Sequence, residues 1–221
     1  MRIHPFSAAL FLASATLVAQ TSILPVVAPG LRIPNGSGSV PLALDSYAGK
    51  QELVPVHHST VMVNNHTGSN VAGSLAGSVF YKPKMTTELP GLHARTALHD
   101  ARPTFYVHVE EEPDASGDSA SSDTAVWALV QASVDKDRRI FAKIQFTQLT
   151  GHAKRADGLV VTDSERVAGG WIKITPKAAL APGEYAITPI FKTPNTFSAV
   201  VFDFSLDAAA PNAVDAIAAT P

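Results

Sequence analysis

The sequence predicts an all-β fold: an antiparallel β-sandwich of immunoglobulin-like or related type, forming a single domain after an N-terminal signal peptide. Three observations carry this expectation. Short runs alternate apolar and polar residues with the period of two that marks a half-buried strand. Turn residues punctuate these runs at the intervals typical of sandwiches and barrels. No long window spaces its apolar residues by three and four, as an amphipathic helix would require.

Taken in order, residues 1–20 read as the signal peptide. Arg2 gives a weakly positive start, Phe6 to Ala13 an apolar stretch, and Ala13-Ser14-Ala15 a small-x-small cleavage site, with a second near Ala19 or Gln20. The apolar run ends at Gln20-Thr21-Ser22, short of the ~20 residues of a membrane-spanning helix. Residues 21–39, rich in Pro, Gly and Ser, read as an extended lead-in, and residues 40–207 as the β-sandwich domain.

Within that domain the clearest strand is Ile140 to Thr147, where Ile140, Ala142, Ile144 and Phe146 alternate with Phe141, Lys143, Gln145 and Thr147. The nearly continuous apolar run Ala125 to Val134 precedes it across the polar turn Asp135 to Arg138, and the two are expected to pair as a hairpin. Further strands are expected at Leu53 to Asn64, Val79 to Glu88, Arg102 to Glu110, Gly158 to Val167, Trp171 to Thr175, Tyr185 to Phe191 and Phe197 to Leu206. Ala181-Pro182-Gly183 supplies a tight turn. Glu110 to Asp123 has almost nothing to bury and reads as a solvated loop. Asn70 to Ala76 is compatible with one or two helical turns. The Ala-rich tail, residues 208–221, is expected to form a short helix from Pro211. About ten residues per strand and turn gives roughly eight to ten strands.

The 221 residues are 46% hydrophobic and 16% charged, with a net charge of −2, enough apolar surface to build a core. No basic face is concentrated enough to suggest nucleic acid, and no membrane span is expected once the leader is removed. There is no cysteine, which excludes disulfides, thiolate metal sites, cysteine nucleophiles and lipid-modified cysteine.

Candidate chemistry falls first to the histidines beyond the leader: His57, His58, His66, His93, His99, His108 and His152. Without cysteine, a zinc or copper site would need imidazoles with carboxylates. His57 and His58 point to opposite faces if they lie in one strand, whereas His108 and Glu110 share a face. His57, His58, His108 and Glu110 are therefore the metal candidates, with Glu112 nearby. Yet no HExxH is present, and ordinary surface histidines account for the same pattern, so no metal or other cofactor is expected. Asp114, Asp118 and Asp123 lack the order of a calcium loop. Ser74 sits one place too early for a nucleophile elbow, and Ser133 to Lys136 matches S-x-x-K without its companion elements. Glu165 and Glu184 are carboxylates of the kind that glycosidases pair across a cleft. Tyr47, Phe80, Tyr81, Tyr106, Trp127, Trp171 and Tyr185 could include a sugar-stacking face, although strand aromatics generally fill cores.

The strings LVPVHHSTVMVNNH (Leu53 to His66), FYKPKM (Phe80 to Met85), RPTFYVHV (Arg102 to Val109), KIQFTQLTG (Lys143 to Gly151) and GGWIKITPKAALAPGEYAI (Gly169 to Ile187) cover much of the chain beyond the leader. On these pieces the chain resembles a family of exported bacterial β-sandwich-like proteins with no known activity. The resemblance implies a compact β-domain and assigns no catalytic residue. Leu180 to Ala186 also resembles turns in other exported β-domains, where a turn leads into a strand whose tyrosine packs. The expectation for function is an exported, non-enzymatic binding or assembly domain, periplasmic or at the cell surface, with a protein or carbohydrate ligand. The alternative is an exported hydrolase or metal-dependent enzyme using a His/carboxylate cluster.

Overall fold

The computed structural model describes residues 24–67, 72, 84–109, 125–146, 153–156, 158–191 and 200–219. Residues 1–20, expected as a signal peptide, the acidic stretch with Glu110 and Glu112, expected as a loop, and most of Asn70 to Ala76 lie outside the described residues. The strands run in chain order β1 (Val26–Ala28), β2 (Leu31–Arg32), β3 (Leu42–Tyr47), β4 (Lys50–Pro55), β5 (His58–Thr60), β6 (Met62–Asn64), β7 (Lys84–Pro90), β8 (Thr96–Leu98), β9 (Thr104–His108) and β10 (Ala125–Gln131). They continue as β11 (Ser133–Asp135), β12 (Arg138–Phe146), β13 (Ala153–Ala156), β14 (Leu159–Val160), β15 (Thr162–Val167), β16 (Trp171–Pro176), β17 (Gly183–Phe191), β18 (Val200–Leu206) and β19 (Ile217–Ala218).

These strands form three stacked antiparallel sheets and a small N-terminal hairpin. A front sheet has the order β15-β16-β9-β3-β4-β19. A middle sheet runs β14-β10-β17-β18-β5, with β8 joining β18 in parallel. A back sheet runs β11-β12-β7-β6, with β13 on β12. The fold is thus all-β and sandwich-like, with one layer more than a simple sandwich.

Alternation along the middle strands explains the stack. Leu129, Tyr185, Ile187 and Phe204 point forward and meet Ala43, Val54, Phe105, Val107 and Ile174 of the front sheet. Phe204 stacks on Tyr185 at 5.5 Å and tilts against Phe105 at 5.1 Å, so aromatic contact anchors this core. The neighbouring residues Val130, Ala186 and Val201 point backward, to Leu89 and Phe141 of the back sheet. A strand buried on both faces needs a continuous apolar run, which is what Ala125 to Val130 supplies.

Three predicted runs are divided because the chain changes sheets within them. Leu53 to Asn64 passes from front to middle to back as β4, β5 and β6. Gly158 to Val167 passes from middle to front at Val161. The expected hairpin of Ala125 to Val134 with Ile140 to Thr147 is corrected in the same way. β10 pairs with β14 and β17, and only β11 pairs with β12, through the two-residue turn Lys136–Asp137. The switch occurs at Ala132, whose N–H donates to Glu184 O at 2.8 Å. Such corners are where packed sheets exchange strands. A bulge between Ile140 and Ala142 against β7 also interrupts the strict alternation of β12.

Both ends of the described chain close the sandwich. The outer face of the front sheet carries Leu42, Leu53, Tyr106 and Trp171, and the β1–β2 hairpin covers it with Ala28, Leu31 and Ile33. The tail forms no helix from Pro211 among the described residues. It passes through two turns, closed by Ala210 N–H to Asp207 O and Ala216 N–H to Ala213 O, and adds β19 to the edge of β4. At the turn before β17, the Tyr185 hydroxyl donates to Ala181 O at 2.7 Å, the closure of a tyrosine corner. Burial pushes that phenol above its ordinary pKa. Among the described residues no helix is long and apolar enough to cross a membrane.

Candidate functional site

The backward-facing side of β17 and β18 is polar where the forward side is apolar. Glu184, Thr188, Asp203 and Ser205 are all buried there. Arg139 enters from β12 and places one guanidinium nitrogen 2.6 Å from Asp203 Oδ2 and 3.4 Å from Glu184 Oε2. Its remaining donors reach the backbone oxygens of Gly91 (3.2 Å) and Pro90 (3.4 Å). Glu184 accepts further bonds from Ser205 Oγ at 2.7 Å, from the Ala94 N–H at 2.8 Å, and from the His93 ring at 3.1 Å. Buried charges are tolerated only when paired and bonded in this way.

Glu184 and Ser205 of this network floor a groove of about 790 Å³. One wall is the segment leading into β8, with His93, Arg95 and Ala97; the other is the tail from Asp207 to Val214. His93 is largely exposed, its side chain 79% accessible, whereas the carboxylate it touches is buried. Side chains hold the tail wall in place. His57 Nε2 lies 2.8 Å from Asp215 Oδ2, and Asn212 donates to Glu52 Oε2 at 3.1 Å. His99 has an acceptor opposite each ring nitrogen: Asp45 Oδ2 at 2.7 Å and Ala210 O at 3.1 Å. Asp45 also accepts the backbone N–H groups of His99 and Asp100, which fixes the turn after β8.

The sequence candidates are dispersed by this architecture. His57 serves the tail, and His58 opens β5 at the exposed edge of the middle sheet. His108 ends β9 in the front sheet, beside Trp171. His66 bonds Thr86 at 2.7 Å on the back sheet, and Glu110 lies outside the described residues. Among the described residues no three His, Asp or Glu side chains gather closely enough to hold a metal ion. Glu165 and Glu184 sit in different sheets, so the strand order does not place them as a facing pair. Of the aromatics, Tyr106, Trp171 and Tyr185 are core residues. Tyr47 packs on His99, Trp127 packs on Phe202, and Phe80 and Tyr81 lie outside the described residues.

Sequence reading missed the Arg139–Glu184–Asp203 network. The alternation Glu184-Tyr185-Ala186-Ile187 and Phe202-Asp203-Phe204-Ser205 marks a polar face but does not say what that face meets. A second polar cluster lies on the far side of the back sheet. Glu88 accepts from Arg138 (2.9 Å), Asn64 and Thr86. Burial acts to raise the Glu88 pKa, but these bonds and the guanidinium outweigh it, holding the carboxyl below its usual range.

In the Ser205–Glu184–His93 group the carboxylate is the central member. A hydrolytic triad needs the imidazole between hydroxyl and carboxylate, so that it can take the serine proton. Here both ring and hydroxyl bond the same carboxylate oxygen. The arrangement orders a groove and does not activate a nucleophile. No protein-family model, curated protein or solved structure matches this chain, so its function has to be argued from these side chains.

Proposed function

We propose that the chain is an exported, non-enzymatic binding or assembly domain of the periplasm or cell surface. The groove beside the tail would be its contact surface, and a protein segment or a carbohydrate its ligand. The observation that carries this reading is the bonding state of the groove floor. Glu184, Ser205 and Arg139 hold one another, which leaves the His93 ring edge, Arg95 and small apolar residues to face a ligand. Preorganised polar groups in a mostly apolar concave surface suit recognition. Export rests on the Arg2 start, the apolar stretch and the Ala-x-Ala site.

The test joins compartment and binding. Mass spectrometry of protein from its native host should find a chain beginning after Ala15 to Gln20. Thermal shift against panels of oligosaccharides and peptides should then give a saturable rise in Tm, because a ligand bound only to the folded state stabilises it. Arg95→Ala should abolish that rise. Turnover of an ester, glycoside or peptide substrate that disappears in Glu184→Gln would overturn the reading, as would an intact Met1 terminus in the cytoplasm.

A further inference from the structure

A separate recess lies on the outer face of the front sheet, where the turn Ser37–Ser39 and the turn before β16 approach the end of β9. It measures about 410 Å³ and is lined by Leu24, Pro34, Ser37, Ser39, His108 and Trp171, with glycines between them. Trp171 and His108 are direct cross-strand partners, their rings 5.1 Å apart and edge to face. Trp171 is 2% exposed, and its indole nitrogen has no hydrogen-bond partner among the described residues. Buried donors are nearly always met, so this one calls for an acceptor.

The glycines around His108 make a cradle. A Cβ on Gly38 would come within 3.2 Å of Nδ1, and one on Gly170 within 3.2 Å of Nε2. Either side chain would press on the ring, and one on Gly38 would do so from the wall of the recess itself.

We propose that this recess binds a carboxylate group. An indole N–H can only donate, and an imidazole offers a second N–H beside it. A carboxylate only accepts, and its two oxygens match two donors on neighbouring strands. Among the described residues no Asp or Glu lines the recess to repel it, and no Lys or Arg lines it to favour the greater charge of a phosphate. Leu24 and Pro34 offer an apolar wall to the remainder of the ligand. The carboxylate could belong to a small organic acid or to a peptide C-terminus, which share this chemistry.

The protein has two tryptophans, so a proton–nitrogen NMR spectrum resolves Trp171 from Trp127, which packs on Phe202 and serves as internal control. The purified protein is titrated with propionate, benzoate, a tetrapeptide with a free C-terminus, the same tetrapeptide amidated, and inorganic phosphate. The Trp171 indole resonance should shift saturably with carboxylates while Trp127 stays fixed. A response to the free but not the amidated peptide assigns the ligand to a chain terminus, and a response to the small acids alone assigns a free acid. Gly38→Ala and His108→Phe should each weaken binding about tenfold, and His108→Gln, which keeps an N–H donor, should restore part of it. The unmoved Trp127 resonance reports that each variant is folded. An indole resonance that stays put up to about 0.1 M carboxylate, where a millimolar site would be saturated, overturns the proposal. So does an equal response to phosphate, or binding that Gly38→Ala and His108→Phe leave intact.

Discussion

On its front side the middle sheet presents Tyr185, Ile187 and Phe204 to an interface made of aliphatic and aromatic side chains. On its back side the same two strands present Glu184, Thr188 and Asp203, with Ala186 and Val201 as apolar contacts among the described residues, to a sheet that answers with Arg139, Leu89 and Phe141. Apolar packing gains free energy in proportion to the area removed from water and tolerates small shifts. The back interface works differently. Desolvating its charges offsets much of their attraction, so its strength depends on keeping every partner in place. The front interface therefore supplies most of the stability, and the back interface fixes how the third sheet sits.

The largest effect should come from the front. Phe204→Ala removes a fully buried ring together with its contacts to Phe105 and Tyr185, and should cost about 5 kcal/mol in chemical denaturation, the upper end for such truncations. A cost below about 2 kcal/mol would show that this face is not the principal core.

Next comes Arg139→Met, which leaves Glu184 and Asp203 buried without their cation and should cost about 3 kcal/mol. The triple variant Arg139→Met/Glu184→Gln/Asp203→Leu should recover most of that loss, because the penalty is the stranded charge and not missing area. A triple variant less stable than the single would mean that the ion network contributes net stability.

A smaller effect follows from Glu88. Its folded pKa is depressed, so its contribution is fully present above the unfolded value of about 4.3 and is lost as pH falls through the lower folded value. Stability measured from pH 6 to pH 2 should fall over that acid window, and Glu88→Gln should flatten the curve there without changing its slope above pH 6. An unchanged acid limb in Glu88→Gln would remove this residue from the account.

The smallest effect belongs to the exposed pairs along the front edge. Lys177 lies 3.1 Å from Asp163 and Lys173 3.7 Å from Glu165, all well exposed. Lys177→Ala should change stability by less than about 0.5 kcal/mol. These charges are better read as protection of the edge strand β15 against pairing with another sheet.

What could be read from the sequence divides along the same line. Period-two alternation located β9, β12, β16, β17 and β18, because local burial writes itself into local pattern. It could not tell a polar face turned to water from one turned to Arg139, since Glu184 and Asp203 look alike in either setting. Sheet-switching at Val56–His57, Val61, Ala132 and Val161 was also hidden, because a corner within an apolar run changes partners without changing composition. The short strands β8 and β19 carry too few residues to show a period, and both are held by long-range pairing. Of the chemistry-bearing residues, His108 was singled out for metal, and the fold instead sets it against Trp171 in a glycine-lined recess. Nothing in the sequence links His93, Arg139 and Asp203 to one another, because only the stacking of three sheets brings them together.

The back sheet is therefore positioned on the middle sheet by a charge network, while the front sheet is held by apolar packing. Native-state hydrogen exchange of Arg139→Met tests this most directly, since it resolves which strands open together. The account predicts a selective loss of amide protection in β6, β7 and β12, with β3, β9 and β16 exchanging as in the parent protein. Protection lost evenly across all three sheets, or lost first from the front sheet, would contradict it.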